Sequence, residues 1–150
     1  MRSRFAVAAV IAALVPAVVA AQAPALNWGP APAVFPAGAK MAVLQGDPSQ
    51  TALFTVRLQM PDGYRIPAHY HPTDEHITVI SGTFLVGMGD TLNAARTTAL
   101  STGGFVTAPA KMNHYAIAKG ATVVQVHAMG PFSLTYVNAK DDPRNTAASR

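Results

Sequence analysis

Short segments in which apolar and polar residues alternate recur along most of this 150-residue chain. Residues 51–59 show the pattern most clearly, because one face carries Ala52, Phe54, Val56 and Leu58 and the other carries Thr55, Arg57 and Gln59. Neighbouring side chains of a β-strand point to opposite faces, so this alternation predicts a strand with one buried face. Only residues 91–96 are expected to hold a helical turn. The chain is therefore predicted to form an all-β sandwich or barrel.

Seven further strands are predicted from the same signals, at residues 41–44, 76–80, 83–88, 105–107, 115–118, 122–127 and 133–137. Turn residues separate them, since Gly, Pro, Asp and Ser favour the backbone conformations that reverse a chain. Ser81-Gly82 and Lys119-Gly120 are interpreted as two such turns. No repeat or second composition interrupts this pattern, so residues 40–140 are predicted to form one domain.

The two ends of the chain differ in composition from the middle. Residues 1–20 combine Arg2 and Arg4 with a short apolar run and small residues, which is typical of a cleaved Sec-type secretory signal. The run is too short to span a bilayer and contains Pro16, so no membrane anchor is expected after cleavage. The mature protein is predicted to be periplasmic or secreted. Residues 21–39 are rich in Pro and Ala and predict an extended arm, and residues 141–150 a loosely held polar tail.

Charge and cysteine content exclude two classes of function. The formal net charge is +4, but removal of Arg2 and Arg4 leaves nine basic against seven acidic residues. These basic residues are scattered singly, whereas nucleic-acid binding requires a basic patch or helix, so no nucleic-acid partner is expected. The chain has no cysteine, which excludes disulfides and thiolate chemistry.

The histidines point to metal chemistry. All five lie between residues 69 and 127, and the single glutamate of the chain, Glu75, lies among them. His69 and His71 are two residues apart, a spacing that places both imidazoles on one face of a strand. A turn at residues 72–74 can bring the carboxylate of Glu75 back toward them, and His114 at the start of a later strand is the natural fourth donor. Three imidazoles and one carboxylate suit a divalent transition metal.

Two motifs carry a resemblance to a known family. The spacing Gly63-x5-His69-x-His71-x3-Glu75-x6-Gly82 resembles the first motif of the cupin superfamily at every fixed position. A later segment, Gly103-x5-Pro109-x-Lys111-x2-His114, resembles the second motif of the family. It departs from that motif at Lys111, where the family usually has Gly, and at Ala118, where it often has Asn. The resemblance covers about residues 53–137. It implies a double-stranded β-helix (jelly-roll) barrel, here with an extended N-terminal arm.

The resemblance also implies a site and a range of functions. His69, His71, Glu75 and His114 would hold one divalent ion per chain, which could be Fe, Mn, Ni, Cu or Zn. The first expectation is a dioxygenase-like enzyme that acts on a small organic substrate. The alternatives are a non-catalytic metal-dependent protein that binds or senses a small ligand, and a metal-dependent isomerase or lyase. Cupins commonly pair through arms and sheet edges, so a homodimer is expected.

Three more side chains are candidates for contact with the substrate or with the metal ligands. Gln125 and His127 alternate along one strand and form a row that could face the cavity. Tyr136 could donate a hydrogen bond to a substrate. For each of these residues, packing or a place on the surface is the alternative. His76 follows Glu75 and is expected to point to the opposite face, outside the site.

Overall fold

The computed structural model describes residues 25–147. The predicted signal at residues 1–20, the first residues of the arm and the last three residues of the tail lie outside the described residues. The strands are β1 Gly29–Pro30, β2 Lys40–Gln45, β3 Leu53–Met60, β4 Arg65–Tyr70, β5 Glu75–Met88, β6 Thr98–Ser101, β7 Phe105–Ala108, β8 His114–Met129 and β9 Thr135–Tyr136. Within residues 25–147 the helical elements are 3₁₀ turns at Ala94–Arg96 and Ala139–Asp141 and the short helix α1, Pro143–Ala147.

Strands β5 and β8 organise the fold. They pair antiparallel over most of their length, with Glu75 opposite Ala128 and Met88 opposite His114. Each was predicted as two strands separated by a turn, and the structure corrects this: both continue through the expected break. The pairing register shifts around Gly82, where the backbone has φ +80°. A bulge of this kind bends a strand without ending it.

The bends allow the two halves of each long strand to join different sheets. The C-terminal half of β8 pairs with β3 and its N-terminal half with β4, while β7 and β6 pair with the first and second halves of β5. The orders β1-β2-β3-β8-β5-β7 and β9-β4-β8-β5-β6 thus describe two sheets that share the long strands. They enclose a single apolar core. The predicted all-β double-stranded β-helix is confirmed.

The core uses the apolar row predicted for β3. Phe54, Val56 and Leu58 are all buried, and they pack with apolar side chains from both sheets. Strand β4 was not among the predicted strands. It contains Pro67, and proline usually indicates an edge or a break in a strand. This strand nevertheless carries His69 to the interior.

Both ends of the described chain contact the barrel. β1 pairs with β2, with Gly29 opposite Met41, and the arm residues Val34 and Phe35 pack on the core. Helix α1 and the 3₁₀ turn before it lie where the sequence predicted no helix. The described residues therefore contain more helical turns than the one expected at residues 91–96.

Candidate metal centre

Strand ends bring the four predicted ligands into the barrel. His69 lies near the end of β4, opposite His114 at the start of β8, and Glu75 is the first residue of β5. His71 follows β4 directly. All four are buried, with exposed fractions of 8% for Glu75 and 3% or less for the histidines. Their side chains therefore face the interior together.

The distances within this group are short. The ligand atoms of His69, His71 and His114 all lie within 4.8 Å of one another, a grouping that could hold a metal ion. Glu75 Oε2 lies 3.4 Å from Nε2 of His71 and 3.4 Å from Nε2 of His114. The structure thus brings together all four side chains that the sequence proposed as ligands.

Backbone carbonyls orient each imidazole. The Nδ1 atoms of His69, His71 and His114 lie 2.7, 2.8 and 3.0 Å from the carbonyl oxygens of Pro67, Ser133 and Met112. A carbonyl oxygen only accepts, so Nδ1 must carry the proton that is donated. In the neutral ring this leaves the lone pair on Nε2, directed toward the other ligands. The same arrangement is typical of histidines that bind metals.

Two of these nitrogens make no hydrogen bond. Among the described residues, the buried side-chain N and O atoms without a hydrogen bond are Nε2 of His71 and Nε2 of His114. Burying an unsatisfied polar atom costs about 1–3 kcal/mol, so such atoms need an explanation. A metal ion would satisfy both nitrogens, and three imidazoles with one carboxylate form a suitable donor set. The residues present therefore fit a divalent metal.

Electrostatics among these side chains favour a carboxylate beside the imidazoles. Burial alone would raise the pKa of Glu75, but the neighbouring imidazoles of His71 and His114 outweigh it and hold this pKa well below its usual range. Burial would lower the pKa of His71, but Glu75 outweighs burial and raises it. Burial and the two neighbouring imidazoles lower the pKa of His69 to about 3. Metal binding would displace the proton that Glu75 favours on His71.

Lys111 connects the two predicted motifs. Its backbone N–H donates to the carbonyl of His71 at 2.8 Å. Its φ is +62°, and among residues 25–147 it is the one non-glycine residue with a positive φ. The position where cupins usually have glycine thus keeps the left-handed conformation although a lysine occupies it.

The four ligands line a cavity of about 400 Å³. Its remaining wall is mainly apolar, and Phe132 packs directly on a predicted ligand: its ring stacks on His71 at 4.4 Å and contacts Phe54 edge-on at 5.4 Å. Sequence reasoning missed Phe132, because it follows the Gly130-Pro131 turn and no periodicity marks it. The lining comprises Pro32, Val34, Phe35, Met41, Asp47, Pro48, Ser49, Phe54, Val56, Leu58, Ile66, Ile77, Phe84, Ala116, Val124, Val126, Phe132, Ser133, Leu134 and Arg144 besides the ligands.

A comparison with protein families matches residues 10–135 to the family described as a domain of unknown function, DUF4437. The chain belongs to the DUF4437 family. A comparison of this DUF4437 chain with curated proteins found no match.

Solved structures similar to the DUF4437 chain include cupins. An RmlC-like cupin from Shewanella frigidimarina is 16% identical with a TM-score of 0.55, over 71% of this chain and 86% of its own. Another similar structure is a protein from Methylibium petroleiphilum that is provisionally named an acetylacetone dioxygenase. It is 20% identical with a TM-score of 0.60, over 87% of this chain and 90% of its own. The polyketide cyclase RemF from Streptomyces resistomycificus is 17% identical (TM-score 0.59, 73% and 78% covered). The resemblance to the cupin superfamily is confirmed at the level of the fold.

Gln125 and His127 are not brought to the centre of this DUF4437 barrel. The cavity is lined from the other face of β8, by Val124 and Val126. Gln125 and His127 instead bond to each other and to Arg57 and Thr55 of β3. The row that the sequence allowed to face the cavity therefore lies on the outer face. His76 lies opposite His127 there, on the face expected for it.

Tyr136 lies beside the centre without lining the cavity. It is opposite His69 in the β4–β9 pairing, and the two rings are 6.1 Å apart. Its hydroxyl donates to the carbonyl of Val34 in the arm at 2.8 Å. Tyr136 thus connects β4, the strand that carries His69, to the N-terminal arm.

Across residues 25–147, none of the helices has the length and apolar character needed to span a membrane.

Proposed function

We propose that this protein is a metal-dependent enzyme of the dioxygenase type that acts on a small organic substrate. The observation that carries the proposal is the pair of buried Nε2 atoms of His71 and His114, which make no hydrogen bond and lie beside Glu75 at a predominantly apolar cavity. A redox-active divalent ion bound there would act as a Lewis acid toward substrate oxygens and would mediate the transfer of electrons from the substrate to O₂.

The protein's own residues would perform three tasks. The carbonyls that accept from each Nδ1 hold the imidazoles of His69, His71 and His114 with Nε2 inward. Glu75 supplies a negative charge among them and can accept a proton from the substrate. The apolar wall, including Phe132, excludes water from the reacting end and contacts the organic body of the substrate.

The names of two similar structures support a small-molecule substrate. One is provisionally a dioxygenase and the other a polyketide cyclase. At 20% and 17% identity this likeness concerns the fold, and the choice of a dioxygenase rests on the donor set and on the cavity.

A second candidate is a non-catalytic protein that binds or senses a small ligand through the same metal. The observation that favours it is that, apart from the ligands, every cavity-lining residue on a strand is apolar. With His127 on the outer face, the predicted metal ligands are the only strand residues of this lining that could exchange a proton with a bound molecule. An isomerase or lyase would use the same site and would need the same proton acceptor.

We also propose that the mature protein works in the periplasm as a homodimer. The composition of residues 1–20 supports export, and the resemblance to cupins, which commonly pair, supports the dimer. Mass spectrometry of protein recovered from the periplasm of a bacterial host should give the mass of a chain that begins after Ala20 or Ala21. Light scattering should give twice that mass. An uncleaved cytoplasmic monomer would contradict both parts.

The metal site is tested by elemental analysis of the purified protein. We expect about one divalent ion per chain in the wild type and none in a His69→Ala/His114→Ala variant. A His76→Ala/His127→Ala variant is the matched control, because these two histidines lie on the outer face, and it should keep its ion. Equal metal in all three proteins, or none in a folded wild type, would refute the metal site.

The reaction class is tested on the loaded wild-type protein by oxygen consumption. Probes with two neighbouring oxygen donors, such as β-diketones and catechols, are the substrates to screen. Consumption of O₂ that requires both the probe and His114 supports the dioxygenase. Ligand-induced stabilisation without turnover indicates the binding protein, and stoichiometric zinc would exclude the redox role.

A further inference from the structure

The wall of the cavity separates polar from apolar surface. Beyond the ligands, its polar side chains belong to Asp47, Ser49, Ser133 and Arg144, all outside the strands. Arg144, the basic side chain of this lining, donates to Asp142 at 2.6 Å. Asp47 accepts from the backbone of Ser49 at 2.9 Å. A charged group on a ligand would therefore find no free counter-charge along the strands of the barrel, and burying it there would be costly.

The N-terminal arm forms part of this wall. Pro32, Val34 and Phe35 line the cavity together with the metal ligands, and Val34 and Phe35 are half-buried against the core. The side chains that a ligand meets thus come from two sources, the rigid strands and a segment that leads into the barrel. Of the arm residues that line the cavity, Phe35 contributes the largest side chain.

Two buried tyrosines hold the arm in this position. Tyr136 donates to the carbonyl of Val34 at 2.8 Å, and Tyr64 donates to the carbonyl of Pro36. These bonds lie on either side of Phe35. The backbone N–H of Phe35 itself donates to the carbonyl of Pro32 at 2.9 Å. Phe35 is therefore placed by fixed contacts on both sides, as a residue that selects a ligand by shape must be.

We propose that the ligand of this site is a molecule with an uncharged, apolar body and oxygen donors at one end, and that Phe35 of the arm selects for that body. This inference rests on the proposed function, because the oxygen donors are assigned to the metal. The strands offer the body an apolar wall of fixed shape. The arm closes that wall and determines how much apolar surface of the ligand is buried.

The test uses nickel-loaded protein and three hydroxamates that share one metal-binding head. Acetohydroxamate measures the head alone, hexanohydroxamate adds four methylenes, and a tail of similar length ending in a carboxylate adds a charge. Affinities are measured by calorimetry for the wild type, Phe35→Ala and Phe105→Ala. Phe105 is the matched control, since it is 58% exposed and lies outside the cavity.

We expect hexanohydroxamate to bind at least about tenfold more tightly than acetohydroxamate, since each buried methylene contributes about fourfold. The carboxylate tail should give no gain. Phe35→Ala should reduce about fivefold the gain in affinity that the apolar tail gives, since it removes apolar contact area only. Its affinity for acetohydroxamate should stay within about twofold of the wild-type value. Phe105→Ala should match the wild type. Phe35→Leu, a milder truncation, should give an intermediate gain and serves if the alanine variant does not fold.

Two results overturn the inference alone: the same tail gain in Phe35→Ala as in the wild type, or equal gains from the apolar and the charged tail. In both cases acetohydroxamate still binds, so the proposed open metal site stands. If loaded protein binds none of the three hydroxamates, the metal is closed to ligands and the proposed function fails together with the inference.

Discussion

At the scale of single residues, the turn before His114 depends on Lys111. Its N–H holds the carbonyl of His71, while its backbone adopts φ +62°. In this left-handed region the Cβ of an L-residue crowds the following carbonyl, which costs about 1–2 kcal/mol. A glycine at this position avoids that cost. Part of the gain in stability is lost, however, because a glycine makes the unfolded chain more flexible.

We therefore expect Lys111→Gly to raise the free energy of unfolding by up to about 1 kcal/mol, without loss of metal. Lys111→Ala is the control: it removes the same charge and keeps a Cβ, so it should not stabilise the protein. Thermal unfolding and metal content of the three proteins decide the matter. Equal stabilisation by both substitutions would show that the side-chain charge, and not the backbone, is responsible.

At the scale of elements, the fold depends on bends in β5 and β8. Gly82 lies where β5 passes from one sheet to the other, with φ +80°. A Cβ on Gly82 would lie 2.5 Å from the carbonyl oxygen of Ala121 and 2.9 Å from Cα of Thr122. Backbone atoms of the partner strand cannot move aside cheaply, so the close approach of the two strands requires glycine here.

Gly82→Ala should lower the free energy of unfolding by about 2–4 kcal/mol, because a clash adds to the strained backbone. Gly120→Ala is the matched control: Gly120 has φ +74°, but a Cβ there would meet no atom within 4 Å. It should cost only about 1–2 kcal/mol. Urea unfolding of both variants measures the difference. Equal losses would mean that the clash at Gly82 is relieved by a small movement of the strands.

At the scale of the whole molecule, barrel and arm are joined by tyrosine hydroxyls. Burial, and to a lesser degree Tyr136, raises the pKa of Tyr64 above its ordinary value of 10. Burial, and then Asp142, raises the pKa of Tyr136 to about 12. Both groups are neutral donors in the folded protein. Their contribution is complete below pH 10 and is lost as the pH rises through the folded pKa, because the unfolded state releases the protons more readily.

The melting temperature should therefore fall between pH 10 and pH 12, with release of the arm. A Tyr64→Phe/Tyr136→Phe variant should be less stable at pH 8, by about 1 kcal/mol for each lost hydrogen bond, but should show a shallower fall at alkaline pH. Tyr70→Phe is the control, because the Tyr70 hydroxyl makes no hydrogen bond to the described chain, and it should retain the wild-type slope. Parallel curves for all three proteins would contradict a role for these tyrosines.

Residue spacing was sufficient to identify the candidate ligands. His69 and His71 share a face because side chains of a strand alternate, and the turn before Glu75 is short, so these relations depend on local geometry. The alternation in residues 51–59 likewise predicted which side chains of β3 enter the core. The fold class is confirmed, while the binding of an ion by His69, His71, Glu75 and His114 stays a prediction.

Packing was needed for everything that depends on distant parts of the chain. Gln125 and His127 alternate as predicted, but alternation does not indicate which face of β8 is inside; Val124 and Val126 line the cavity because their face packs in the apolar core that the two sheets enclose. Phe132, whose ring stacks on His71, carries no local signal. The continuity of β5 through Gly82 depends on β8 as its partner. Local sequence specifies the period of a strand, whereas its orientation and neighbours follow from contacts between residues far apart in the chain.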